Sequence, residues 1–89
     1  MRRVLISRPA LSQLDELPSK ERRRVVRGLE ALGTDPFTPR SGCDVKKLEG
    51  GDPAKYRLRV GEWRAVYVVI EDEIRIISIF RRGQGYRIE

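Results

Sequence analysis

The chain has 89 residues, of which 36% are charged and 39% hydrophobic, a balance typical of one folded domain with a single small core. Nineteen Lys and Arg against 13 Asp and Glu give a net charge of +6, which favours a polyanion or an acidic protein as partner. The chain has no histidine and one cysteine, Cys43, which excludes a histidine-based catalytic triad, a zinc site and an internal disulfide. We therefore expect no metal and no cofactor.

The N-terminal segment does not have the pattern of a secretory signal. Its basic start is followed by only a short apolar run before Arg8 and Pro9, far shorter than the apolar core of a signal peptide. No stretch approaches the roughly 18 apolar residues of a membrane span. The sequence therefore predicts a cytoplasmic protein with no membrane partner.

The first third of the chain predicts a strand and two helices. Residues 3–7, RVLIS, are β-branched and aliphatic, which is typical of a strand. Ser7 is placed to cap a first helix, whose leucines recur at helical spacing until Pro18 stops it. Ser19 is placed to cap a second helix, which Gly33 is placed to end. We expect the two helices to form a hairpin.

The rest of the chain predicts a loop and then strands. Residues 34–44 carry two prolines and a glycine among polar residues, as loops do. Residues 55–60 alternate basic and apolar side chains, and the runs WRAVYVVI and IRIISIF are apolar almost throughout, as central strands are. We predict one α+β domain over residues 1–89, with an N-terminal strand and a helical hairpin packed on an antiparallel sheet that ends in a three-stranded meander.

The segment YRLRVGEWRAVY, residues 56–67, gathers three arginines in a predicted hairpin. If Gly61 starts a type II′ turn, counting places Arg59 opposite Arg64, with Arg57 two residues along on the same face. Three like charges offer the fold no obvious stability, whereas planar guanidinium groups bind phosphate bidentately. The cluster is therefore compatible with an anion site. A solvated strand face is the alternative, since charge alternation is common on exposed strands.

The C-terminal segment FRRGQGYRIE favours the anion site over the solvated face. Arg81, Arg82 and Tyr86 follow the last predicted strand, whose end should lie beside the Trp63 end of its neighbour. A two-residue second turn would place Arg81 on the face of Arg64, and a three-residue turn would place Arg82 there. The sequence leaves both arrangements open.

With this hairpin and element order, essentially the whole chain resembles the RelE/ParE superfamily of toxins from prokaryotic toxin-antitoxin pairs, in particular the RelE branch. RelE-like proteins cut mRNA in the ribosomal A site, so the resemblance implies an endonuclease that uses attack of the 2′-hydroxyl on the phosphate. It implies as partners an acidic antitoxin, the ribosome with its mRNA, and operator DNA only through the antitoxin complex. Two alternatives are a ParE-like inhibitor of DNA gyrase and an inactive relative that acts only in a repressor complex.

The resemblance also implies roles for single residues. Arg57 and Arg59 match basic positions that contact the scissile phosphate, and Arg64 matches an arginine that stabilises the developing phosphorane. Arg82, or Arg81 by a shifted alignment, matches a basic residue of the same role, and Tyr86 matches a tyrosine that orients or activates the 2′-hydroxyl. Further basic residues are candidates for contacts to RNA: Arg81, Lys55, Lys46 and Lys47.

Proton transfer is the weak point of such a site. Arginine keeps its proton at ordinary pH, so Arg57 and Arg59 cannot easily act as a general base, and Tyr86 is the plausible one. We therefore expect the ribosome to supply part of the catalysis.

Three other features have simpler interpretations. The basic run KERRR, residues 20–24, is equally typical of a solvated helix face and of a contact to ribosomal RNA or an antitoxin. We expect Trp63 to pack in or beside the core and Cys43 to have no catalytic role.

Overall fold

The structure, a computed structural model that describes residues 1–84, consists of a five-stranded sheet with two helices packed on one face. This confirms the predicted α+β class. The elements in chain order are β1 (Arg3–Ile6), α1 (Arg8–Asp15), α2 (Ser19–Leu32), β2 (Asp44–Glu49), β3 (Lys55–Val60), β4 (Trp63–Ile70) and β5 (Glu73–Arg81). No helix in the described part of the chain is long and apolar enough to cross a bilayer.

The sheet has the order β1-β5-β4-β3-β2 and is mixed, because β1 pairs parallel with β5 while the other pairs are antiparallel. The predicted meander is present as β3, β4 and β5. The meander is extended by β1 at one edge and by β2 at the other. The sequence did not predict β2 as a separate strand. β2 reads DVKKLE, and its charged residues obscure the apolar alternation that would reveal a strand.

The helix ends follow the predicted signals with one difference. Ser7 caps α1, with its side-chain oxygen accepting a hydrogen bond from the backbone N–H of Ala10 at 3.3 Å. Pro18, and not Ser19, is the N-cap residue of α2, and it makes no side-chain cap. The extended backbone of Pro18, with ψ of 148°, separates the two helices within a few residues, so that Ser19 is already helical. Gly33 follows α2 as its C-cap residue.

One hydrophobic core fills the space between the helices and the sheet. Its largest members are aliphatic side chains of both helices, of the link between them and of the central strands, joined by one tyrosine: Leu14, Leu17, Val25, Leu29, Leu32, Leu58, Tyr67, Ile74, Ile76 and Ile79. At Gly28 α2 comes so close to β3 that an added Cβ would lie 2.9 Å from Cγ2 of Val60. Trp63 packs against this core, and its indole N–H donates to the Glu21 carboxylate at 3.1 Å. Trp63 therefore has the packing role that the sequence predicts, and it ties the first turn of α2 to the hairpin.

The side chain of Tyr67 links the core to the loop that follows α2. Its hydroxyl donates to the Pro36 carbonyl oxygen at 2.6 Å and has no exposed surface. Burial raises the pKa of Tyr67 above its ordinary value. The folded state therefore keeps this proton at a pH where the unfolded chain releases it.

We predict that the contribution of Tyr67 to the free energy of unfolding is complete below about pH 10 and is lost as the pH rises above that value. Replacing Tyr67 with Phe leaves the Pro36 carbonyl unpaired and should lower the free energy of unfolding at pH 7 by about 1–3 kcal/mol. It should also make the decline in alkali shallower.

Urea denaturation at neutral and alkaline pH measures both effects, with Tyr56→Phe as the control that retains the Tyr67 hydroxyl. If Tyr67→Phe lost stability in alkali as steeply as the parent protein, the proposed role of this buried phenol would be wrong.

Candidate functional site

The β3-β4 hairpin has the register that its sequence predicts. Arg59 pairs with Arg64, and Val60 pairs with Trp63, across a two-residue turn in which Gly61 has a φ of +58°. The register places Arg57 and Arg59 on the sheet face opposite to the one that carries Leu58 and the helices. We call this helix-free side the open face.

The turn between β4 and β5 also has two residues, since Ile70 pairs with Glu73. By strand parity alone this turn would place Arg81 on the open face. A β-bulge at Ile77 adds one residue to β5, however, and shifts the pairing so that Arg64 lies opposite Phe80.

Because of this bulge, Arg82 is in phase with the open face and Arg81 is not. Arg81 pairs with Trp63 on the helix-bearing face. The backbone N–H of Arg82 donates to the Glu62 carbonyl oxygen at 2.6 Å. This bond fixes the C-terminal end of β5 beside the turn of the β3-β4 hairpin. Arg57, Arg59, Arg64 and Arg82 form what we call the arginine cluster.

Arg64 is held in the arginine cluster by backbone carbonyl groups. One of its terminal nitrogens donates to two backbone carbonyl oxygens, that of Gly61 at 2.9 Å and that of Trp63 at 3.1 Å. Partial burial, together with repulsion from the other three arginines of the cluster, lowers the pKa of Arg64 below its ordinary value. The other three charges are therefore close enough to act on Arg64, and backbone carbonyl groups hold that guanidinium in place.

Asp44 is a site residue that the sequence analysis missed. It starts β2 and pairs with Arg59, and its carboxylate lies 2.7 Å from Nε of Arg59 and 3.7 Å from a terminal nitrogen of Arg57. One acidic group thus partly neutralises one side of the arginine cluster. In the sequence, Asp44 is marked only by its position at the start of the basic segment DVKK. Its contact with Arg59 can be predicted only if β2 is already known to pair with β3.

Arg57 is held in a way that does not favour stability. Its Nε is buried and has no hydrogen-bond partner among residues 1–84, which costs about 1–3 kcal/mol for a donor removed from water. Val66, its neighbour on β4, has no exposed surface although it lies on the open face. We attribute this to the aliphatic stems of the adjacent arginines, which cover apolar surface while their charged ends stay near solvent.

The other predicted RNA-binding residues are divided between the two faces. Lys46 pairs with Arg57, and Lys55 is in phase with it, so both are on the open face. Lys47 and Arg81 are in phase with the helix-bearing face. Tyr86 lies outside the described residues.

Neither a thiol nor a metal centre is part of this site as described. Cys43 is buried, and burial raises the pKa of its thiol, which disfavours the reactive thiolate. Within residues 1–84 there is no group of three or more cysteine or carboxylate side chains placed to hold a metal ion.

Comparison with known proteins identifies the family of this chain. Residues 4–86 match the family described as ParE toxin of type II toxin-antitoxin system, parDE. The chain is 36% identical to the protein named RelE1 of Methanocaldococcus jannaschii over 83 aligned residues. The alignment covers 92% of this chain and 90% of that protein. The chain belongs to the RelE/ParE toxin superfamily.

Solved structures of RelE/ParE toxins have the same fold. The archaeal RelE-RelB complex from Pyrococcus horikoshii contains a chain that is 33% identical, with a TM-score of 0.81 over 94% of this chain and 98% of that one. The E. coli RelBE complex has a chain that is 24% identical, with a TM-score of 0.69 over 96% of this chain and all of that one. The predicted resemblance to the RelE branch is confirmed.

We predict that Asp44→Asn strengthens the binding of phosphate to the arginine cluster. Removing the carboxylate leaves Arg57 and Arg59 with more unbalanced positive charge, and a partly exposed ion pair of this kind is worth about 0.2–1 kcal/mol. The dissociation constant should fall by a factor of about 1.4 to 5.

Titration with inorganic phosphate, followed through the arginine Nε–H signals in NMR spectra, measures this effect. Asp72→Asn, in the turn at the opposite end of β4, changes the net charge equally and serves as the control. Weaker or unchanged phosphate binding by Asp44→Asn would contradict the charge balance described here.

Proposed function

We propose that this protein is a ribosome-dependent endonuclease that acts in the cytoplasm and cuts mRNA in the ribosomal A site. The observation that carries the proposal is the arginine cluster: four guanidinium groups on one helix-free sheet face, where Asp44 is the one ion-paired carboxylate within residues 1–84. Such an arrangement destabilises an isolated domain and suits a bound phosphodiester.

In the proposed reaction the 2′-oxygen of one nucleotide attacks the adjacent phosphorus. The bond from the 2′-oxygen to phosphorus forms, the bond to the 5′-oxygen breaks, and the products are a 2′,3′-cyclic phosphate and a 5′-hydroxyl. Arg57 and Arg59 contact the scissile phosphate, while Arg64 and Arg82 stabilise the extra negative charge of the phosphorane. Because two backbone carbonyls already hold Arg64, little reorganisation is required when that charge develops.

The proton of the 2′-hydroxyl needs an acceptor, and the arginine cluster does not contain one, since arginine stays protonated at neutral pH. The acceptor that we propose is Tyr86 in its phenolate form, as the resemblance implies, and water protonates the leaving 5′-oxygen. Because the arginine cluster holds no general base, the rate of the reaction depends strongly on the geometry in which the substrate is held. RNA fixed in the A site arrives in a defined geometry, and orientation of this kind is worth up to about 7–11 kcal/mol of a reaction barrier.

The proposed partners follow from the charge and from the structural relatives. The related toxins from P. horikoshii and E. coli were solved in complex with RelB antitoxins. We propose that an acidic antitoxin binds this chain, whose net charge is +6, and that operator DNA is contacted only through that complex.

Inhibition of DNA gyrase is the second candidate function, because the matching family is named after ParE. Two observations place it second. The relatives at 33% and 36% identity are both named RelE. A gyrase-binding protein also has no need for four arginines that converge on one face.

Arg64→Ala tests the assignment. We expect A-site cleavage to fall by about 10²- to 10³-fold, because this change removes one donor to the transition state, and growth inhibition on expression to be lost. The measurement is primer extension on mRNA in a translating extract, with a gyrase supercoiling assay in parallel and circular dichroism to verify the fold.

Arg75→Ala is the matched control. Arg75 is an exposed arginine of β5 that forms an ion pair with Glu73 and lies outside the arginine cluster. A folded Arg64→Ala protein with full activity would disprove the role of the arginine cluster. Inhibition of supercoiling without any mRNA cleavage would favour the ParE-like function.

A further inference from the structure

A solvent-open cleft of about 470 Å³ lies beside the arginine cluster, between α2 and the ends of β2 and β3. Arg24 and Arg27 of α2 form one wall, and Asp44 and Arg59 form the other. Gly42 lies at its rim, where an added Cβ would meet no atom within 4 Å. The cleft therefore has room for a ligand and is lined by three guanidinium groups.

The charge in this cleft is unbalanced. Asp44 is its one acidic lining residue among residues 1–84, and its carboxylate is already bound to Arg59. Arg24 and Arg27 make no hydrogen bond or ion pair within the described chain. They are also three residues apart on one helix face, a spacing at which like charges destabilise a helix. Two free arginines kept at this spacing favour an anionic ligand.

The walls of the cleft are fixed by the core rather than by the ligand. The bond from Trp63 to Glu21 ties the start of α2 to the hairpin, and the close approach at Gly28 holds the helix against β3. The Arg24 guanidinium lies over the hairpin turn, 3.5 Å from where a Cβ of Gly61 would be. A ligand would thus find the wall that carries Arg24 largely formed, which reduces the entropic cost of binding.

Arg59 and Asp44 belong to both the cleft and the arginine cluster, so the cleft continues the cluster around the end of β3. We infer that the cleft is a second phosphodiester-binding site, which takes a phosphate of the RNA backbone beside the one that is cleaved. This inference rests on the proposed function. An RNA strand carries one phosphate per nucleotide and can occupy both places at once, whereas a protein partner would have to present separate acidic groups to each.

The test compares two double variants of α2. Arg24→Gln with Arg27→Gln removes both free charges from the cleft. Lys20→Gln with Arg23→Gln removes the same charge at the same spacing from exposed positions of the same helix that do not line the cleft. Circular dichroism melting verifies that both variants fold. The affinity for a short fluorescein-labelled single-stranded RNA is then measured by fluorescence anisotropy over a range of salt concentrations.

The cleft variant should show a plot of log affinity against log salt that is shallower by about 0.7, since neutralising one phosphate of a single strand contributes about 0.7 to that slope. The control variant should retain most of the original slope. Equal slopes for the two variants would overturn the inference. A cleft variant that loses affinity for poly-glutamate and keeps its affinity for RNA would overturn it as well, and would assign the cleft to an acidic protein segment.

Two further measurements separate this inference from the proposed function and identify the RNA. If the parent protein gave no A-site cleavage while the cleft variant still showed the shallower slope, the proposed function would fail and the binding site would stand. Binding to ribosomes that carry no message distinguishes the two sources of RNA. Unchanged binding by the cleft variant would assign the cleft to the message, as inferred. A loss would assign it to ribosomal RNA and would overturn the inference that the bound phosphate lies beside the cleaved one.

Discussion

The register of the β3-β4 hairpin forces like charges together, and the rest of the site is arranged around that constraint. A two-residue turn at Gly61 leaves Arg59 and Arg64 no freedom to separate along the strands. The structure relieves the repulsion only in part, through one carboxylate from Asp44 and two carbonyl oxygens at Arg64. The remaining positive charge can be balanced by a ligand, and a phosphodiester has the charge and the geometry to do so.

The fold tolerates the like charges of the arginine cluster because the hydrophobic core lies on the other face of the sheet. The helices and the apolar side chains of the strands form the core on one face, and no helix or further strand among residues 1–84 covers the open face. Stability comes from the first face, so the second can keep charges that do not contribute to it. The packing of α2 against the hairpin has a further consequence, since it places the free arginines of the helix beside the same strand end that carries Arg59.

The parts of the site that the sequence predicts are those set by local geometry. Alternation along β3 and a glycine at the turn determine the positions of Arg57, Arg59 and Arg64, and these were predicted in the correct register. The face of Arg82 depends on the bulge at Ile77, which lies in a run that is apolar at nearly every position and so carries no period that would reveal an extra residue. Long-range pairing determines the rest: the parallel position of β1, the contact of Asp44 and the cleft beside α2 are not encoded in any local pattern.

We propose that the arginine cluster stabilises a transition state that the protein cannot reach with its own proton-transfer groups, so the ribosome is required. The most direct test is to compare the cleavage rate of one mRNA when it is free and when its codon lies in the A site of a programmed ribosome. We expect cleavage in the A site that leaves a 5′-hydroxyl and a 2′,3′-cyclic or 3′-phosphate end, with little or no cleavage of the free RNA. Efficient cleavage of protein-free RNA at neutral pH, abolished by Arg64→Ala and therefore not due to a contaminant, would contradict the account.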